Sequence, residues 1–149
     1  MDQAEESRQR TLAAIAAVSD AMESGEHFVG QLQMRDVRVS ADTVILDMAV
    51  TPQLCNSRGA LQGGLLTTLV DIAAGRLAMA GVEAGHSTAT IDLNIHFLAP
   101  IVTGPARATA TIVRTGKRTV VVRVDVEDVG RDRLAATATV QFVVLEPLV

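Results

Sequence analysis

The run from Gly59 to Gly75, GALQGGLLTTLVDIAAG, sets a glycine pair at the head of an almost wholly apolar segment that holds a single carboxylate, Asp71. From Gly64 to about Ala80, residues such as Leu65, Leu69, Ile72, Leu77 and Met79 leave no broad polar face. Such a segment reads as a helix buried on most sides. The neighbours of Asp71 three and four positions away are Thr67, Thr68, Ala74 and Gly75, and none of them pairs with a charge. A carboxylate held away from water without a partner is costly. It points to a functional site, to a solvent channel, or to a distant partner such as Arg58 or Arg114. At the helix start, backbone N–H groups lack intrahelical acceptors and the helix dipole favours negative charge. Glycines at 63 and 64 would let a carbonyl approach those donors, although a tight entry into the helix needs glycines too.

Outward from this helix the pattern turns to strands. ATIDLNIHFL, Ala89 to Leu98, alternates Ala89, Ile91, Leu93, Ile95 and Phe97 with Thr90, Asp92, Asn94 and His96, and Pro100 ends it. Ala106 to Arg114, Thr119 to Asp128 and Leu134 to Leu145 are β-rich runs joined by turns at Thr115-Gly116-Lys117 and Gly130-Arg131-Asp132. Upstream, Val29 to Val39 and Thr43 to Val50 read as a hairpin turned at Ser40-Ala41-Asp42, and TPQLCNSRGA as an irregular loop. Ser7 to about Met22 carries Leu12, Ile15, Ala16 and Val18 at helical spacing. Consecutive strands with short turns predict an α+β fold: one antiparallel sheet wrapped around the apolar helix, with a second subunit covering what the sheet does not. The expected organisation is an N-terminal helix and lead-in over 1–28 and a single domain over 29–149.

Composition narrows the function. A chain of 149 residues supports one domain with a core, and with three Phe as its only aromatics that core is aliphatic. A net charge of −4 offers no electrostatic footprint for nucleic acid. The single cysteine, Cys55, cannot form an internal disulfide, which fits a reducing, cytoplasmic setting. It has no histidine partner by motif and reads as a small hydrophobe rather than a nucleophile. MDQAEESRQR lacks the basic start and apolar run of a signal peptide, and TLAAIAAVSDAM is too short to span a bilayer, so no membrane partner is expected. His27, His86 and His96 are scattered without zinc-ligand spacing.

NSRGALQGG, Asn56 to Gly64, resembles the motif N-x-x-G-x-x-H-G-G, and Asp71 follows eight residues after Gly63. With TIDLNIHFLAP (Thr90 to Pro100) and RTGKRT (Arg114 to Thr119), the chain from about Gly30 onward resembles the PaaI-like acyl-CoA thioesterases of the hotdog fold. That resemblance implies Asp71 as general base or nucleophile on a CoA thioester, the Gly63 N–H polarising its carbonyl, and Asn56 positioning nucleophile or substrate. It places Thr90 where a hydroxyl helps to hold the attacking water. It further implies a site across a homodimer, or within a dimer of dimers, with Gly63 and Asn56 of one subunit facing Asp71 and Thr90 of the other. No metal or separate cofactor is implied, CoA being part of the substrate. Gly64, Arg58 and the cluster Arg114, Lys117 and Arg118 become candidates for holding CoA. The acyl group, aryl or medium-chain, would lie in an apolar tunnel lined partly by the 65–79 helix. The departure is Gln62, where the family carries His: Gln hydrogen-bonds but does not titrate near neutrality. That keeps two alternatives open, a hotdog protein that binds acyl-CoA without turnover and an enoyl-CoA hydratase.

Overall fold

The computed structural model describes residues 2–148. The chain divides into two compact units, one running to Gln33 and the other comprising Met34–Pro147. In the first unit α1 spans Gln3–Ser24, longer than the expected 7–22. Asp2 extends it by accepting a hydrogen bond from the Ala4 N–H (3.1 Å), and Gly25, in the left-handed region, ends it. None of its side chains is buried. The strand expected from Val29 is absent over its first residues. Phe28–Leu32 forms a 3-10 turn, entered through His27, whose Nδ1 accepts from the Val29 N–H (3.2 Å), and left through Gln33 at φ 49°. A local side-chain cap here outcompetes strand pairing.

The second unit contains β1 (Met34–Val39), β2 (Thr43–Met48), α2 (Gly63–Ala80), β3 (Ser87–Phe97), β4 (Ala106–Thr115), β5 (Thr119–Asp128) and β6 (Arg133–Leu145). All neighbouring strands are antiparallel, in the order β1-β2-β4-β5-β6-β3. This is the sheet around a central helix that the resemblance implies. The Ser40 hydroxyl closes the β1–β2 turn by donating to the Thr43 carbonyl and accepting from its N–H. α2 packs on the sheet, against β2 to β6, and β3 emerges at the far edge rather than beside β2.

The core follows from the period of two. Val44, Leu46 and Met48 on β2, four valines on β5 and Val140 and Phe142 on β6 are buried beneath α2. Ala106, Ala108 and Ala110 line the inner face of β4, so the helix can lie close over the middle of the sheet. Leu66, Leu69, Val70, Ala73, Ala74, Leu77 and Ala78 form its buried stripe. By length and composition α2 would also qualify as a membrane span, but here that stripe packs on the sheet. The helix is not buried all round: Gly64, Leu65, Thr68, Asp71, Ile72 and Gly75 are at least partly open in a single chain.

Two carboxylates on the sheet are buried, and neither stood out from the sequence. Asp47 alternates outward from Leu46 and Met48 and is the registered partner of both Arg35 and Arg107. It accepts two bonds from Arg107 (2.8 and 2.9 Å) and one from Arg35 (3.1 Å). The Arg107 hydrogen bond outweighs burial, Arg35 adds to it, and the Asp47 carboxyl is held below the usual carboxylate range. For Asp128, burial pushes the pKa up, but the Val102, Gly104 and Thr103 N–H groups outweigh it and the net shift is downward. A carboxyl whose pKa is lower when folded than when unfolded stabilises the fold fully above its unfolded value, about 3.9, and loses that contribution as pH falls through the folded value. Thermal melting is therefore expected to hold level on these two groups from pH 5 to 8 and to drop steeply below about pH 4. Melting temperatures measured between pH 2.5 and 8 check this; a level profile down to pH 3 would refute it.

Candidate active site

The loop before α2 is organised by Asn56. Its Oδ1 accepts from the Arg58 N–H (2.9 Å) and the Ala60 N–H (3.3 Å), and its own N–H donates to the Ala60 carbonyl (2.8 Å). The turn needs a left-handed residue, and Gly59 supplies it at φ 77°. The Leu61 N–H then binds the Ile101 carbonyl (2.8 Å) and the Gln62 N–H the Leu54 carbonyl (3.0 Å), so both sides of the loop are anchored. Asn56 borders a cavity of about 350 Å³ together with Gly63, Leu66, Phe97 and the Leu98–Ile101 segment.

That cavity lies at the head of α2. Gln62 occupies the N-cap position, but its exposed side chain makes no capping hydrogen bond. The first-turn N–H groups of Gly63, Gly64 and Leu65 have no acceptor among the described residues. The Phe97 ring rests on Gly63, 3.5 Å from where a Cβ would stand. A Cβ at Gly64 would meet nothing within 4 Å, so a single chain gives no steric reason for glycine there.

Two turns on, the Thr90 hydroxyl of β3 donates to Asp71 Oδ1 at 2.7 Å. Thr90 faces the helix because the register with β6 slips between Thr90 and Asp92. The same slip leaves Ile91 without a partner on β6 and 55% exposed. The alternation in this strand thus does not become one buried face: Ala89, Leu93 and Ile95 are half-buried, while Phe97 is exposed. No cation approaches Asp71 within ion-pair distance among the described residues; Arg76 turns away to Asp36 on β1, and neither Arg58 nor Arg114 reaches it. Gly63 and Asp71 are eight residues apart on one helix, roughly 12 Å at a rise of 1.5 Å per residue. Within one chain they cannot both touch the same carbonyl.

The candidate CoA contacts divide. Lys117 and Arg118 on the β4–β5 turn line a second cavity, about 600 Å³, with Gly81, Glu83, His86 and Glu146. Arg114 does not line it, and Arg58 is exposed on the loop before α2. His86 Nε2 lies 3.2 Å from Glu146, and its Nδ1 is buried without a partner among the described residues. The His86–Glu146 contact carried no signal in the sequence, because the two meet only when β3 and β6 pair. Cys55 is half-buried and free, in a bridge with Leu61.

Residues 58–135 match the family model of the thioesterase superfamily. The chain belongs to that superfamily. A mouse (Mus musculus) relative, acyl-coenzyme A thioesterase 13, is 32% identical over 101 residues, covering 67% of this chain and 71% of its own. Among solved structures, a thioesterase from Haemophilus influenzae superposes with a TM-score of 0.71 at 22% identity, over 79% of this chain and 82% of that one. A thioesterase family protein from Silicibacter pomeroyi does so at 0.75 and 24%, over 85% and 96%. These two likenesses bear on the fold, which is the hotdog arrangement. This superfamily member is a thioester hydrolase, and Gly63, Asp71 and Thr90 all fall within its matched segment.

Proposed function

We propose that this thioesterase hydrolyses acyl-CoA thioesters at a site shared between two copies of the chain. The observation that carries the reading is the Thr90–Asp71 pair, a carboxylate with no cationic partner among the described residues, on the helix whose first-turn N–H groups lack acceptors among them. The roughly 12 Å between Gly63 and Asp71 within a chain supports an arrangement in which each thioester meets Gly63 of one copy and Asp71 of the other. The exposed eleven-residue β3 edge would let a second copy continue the sheet. β1, the opposite edge, is short, charged and interrupted by a register slip after Asp36. A dimer of dimers is a further level of the same proposal.

In this mechanism the Gly63 N–H, with Gly64 beside it, holds the thioester oxygen as negative charge develops there. Asp71 either takes a proton from water as the water oxygen bonds to the carbonyl carbon, or attacks that carbon directly. Collapse breaks the C–S bond and the CoA thiolate takes up a proton, from Asp71 on the water route. On the direct route water then hydrolyses the Asp71–acyl anhydride, releasing the acid and restoring the carboxylate. Thr90 orients the carboxylate; Asn56, on the cavity wall, and Gln62, at the N-cap of α2, offer hydrogen bonds in place of a titrating group. No step requires a metal or a separate cofactor. The mouse relative's name supports CoA as the thiol. The test is free-thiol release from aryl, short and medium acyl-CoAs: turnover of any of them supports the reading, and binding without release would replace it with an acyl-CoA carrier.

Lys117 and Arg118 would hold CoA phosphate groups. Replacing both with Ala is expected to raise KM for an acyl-CoA about tenfold with little change in kcat, since charge-assisted contacts far from the carbonyl contribute uniform binding. An acyl-pantetheine, which lacks the nucleotide, should show no such rise. Equal losses on both substrates would remove the phosphate role.

A further inference from the structure

We propose, resting on the shared-site reading above, that the CoA nucleotide is held by the copy of the chain that supplies Asp71 and not by the copy that supplies Gly63. In each chain α2 carries Gly63 at its head, Asp71 two turns on, and Gly81 at its C-cap, on the wall of the cavity of about 600 Å³. At a rise of 1.5 Å per residue Gly81 stands roughly 15 Å from Asp71 and roughly 27 Å from Gly63. The sheet gives the same order. Val144, also on that wall, is the registered partner of Thr88, which precedes Thr90 on β3 by roughly 7 Å. Phe97, which rests on Gly63, lies roughly 23 Å the other way along the strand.

Two-fold symmetry then separates the copies. With Gly63 of each copy level with Asp71 of the other, the two α2 helices run antiparallel and their C-caps point apart. From a thioester held between Gly63 of one copy and Asp71 of the other, the cavity of the Asp71 copy is roughly 15 Å away and that of the Gly63 copy roughly 27 Å. The pantetheine arm, a chain of two amides about as long as five extended residues, spans roughly 17 Å. It reaches the first cavity and falls short of the second. The wall suits a nucleotide better than a bare anion. Lys117 and Arg118 offer charged donors to phosphates, while Glu83 and Glu146 accept from ribose hydroxyl and adenine amino groups.

The test reads delivery of the CoA sulfur to position 71 and involves no thioester turnover. Hybrid dimers are isolated on two affinity tags, with Cys55→Ser in both chains, so that Asp71→Cys on one chain is the only thiol. The probe is the mixed disulfide of CoA and thionitrobenzoate: the thiolate bonds to the CoA sulfur, the S–S bond breaks and the coloured thiol leaves. With Lys117→Ala and Arg118→Ala on the chain that carries Asp71→Cys, the second-order exchange rate is expected to fall about tenfold. With both on the other chain, the rate should match that of the hybrid with its cations intact. The reverse pattern, equal losses from the two placements, or no loss from either would overturn the assignment. Thr90→Cys, at the hydrogen-bonded neighbour, gives the same reading where Asp71→Cys does not fold. Free-thiol release from acyl-CoAs by the native chain tests hydrolysis by itself, so failure of one is told from failure of the other.

Discussion

Asp71→Asn is expected to lose free-thiol release by about 10³-fold with its fold intact, because Asn keeps the shape but neither accepts a proton nor attacks as a carboxylate. The Thr90 hydroxyl, 2.7 Å from Oδ1 in the native chain, can donate equally well to an amide oxygen, so the local geometry should survive. Loss of kcat with substrate affinity retained would identify a group used in the transition state rather than in binding. Near-native turnover in Asp71→Asn would end the proposed mechanism.

The complementary variant is Gly63→Pro. Proline suits the first position of a helix and deletes only the N–H, and Gln62, at φ −55° and ψ 130°, already has the extended backbone that a following proline favours. Losing one oxyanion donor should reduce kcat by about 10²-fold or more. The two inactive variants also test whether the site is shared. In randomly mixed two-fold dimers, half the assemblies are hybrid and each rebuilds one native site, restoring about a quarter of the activity. A site confined to one chain would show no recovery on mixing.

Asp128→Ala carries the largest expected stability loss. The side chain is fully buried and accepts from the Val102 (2.9 Å), Thr103 (3.2 Å) and Gly104 (2.7 Å) N–H groups. Those donors lie in the turn between β3 and β4, where Gly104 takes a left-handed conformation at φ 74°. A Cβ on Gly104 would come within 2.6 Å of Val50, so the turn has little room to find other acceptors. Three N–H groups left unsatisfied amount to about 4 kcal/mol. For a domain of this size that is a fall of roughly 10 °C in Tm. Asp128→Asn retains an acceptor and should lose about half as much, while removing this residue's share of the acid sensitivity. Calorimetric melting of both variants checks the order. The effect should reach the site as well, because Ile101, next to this turn, receives the Leu61 N–H of the loop ahead of α2.

Much of this was legible in the residues. Segments with a regular period, α2 and the β4–β6 meander, lie within a few residues of where alternation and turn residues place them, because period and turn chemistry are local properties. Asp71 stood out for the same reason: its lack of a partner shows in the residues one turn either side. The start of β1 did not, since the His27 cap and the left-handed Gln33 override an apolar run that reads as strand. The start of α1 is not marked by its apolar spacing either, because its cap, Asp2, lies ahead of the residues that form the stripe.

By itself, then, the sequence determined which segments are helix or strand, that α2 is the central element, and that Asp71 stands without a local counter-charge. Only the tertiary structure decided that β3 closes the far edge of the sheet and brings Thr90 onto Asp71. It alone paired Asp47 with Arg107, 60 residues away, and set Asp128 beneath the 102–104 turn. It also separated Lys117 and Arg118, on a cavity wall, from Arg114. The physical reason is the range of the interactions. Period and capping act over a few residues, whereas strand order, register slips and ion-pair partners are selected by burial and pairing over the whole chain.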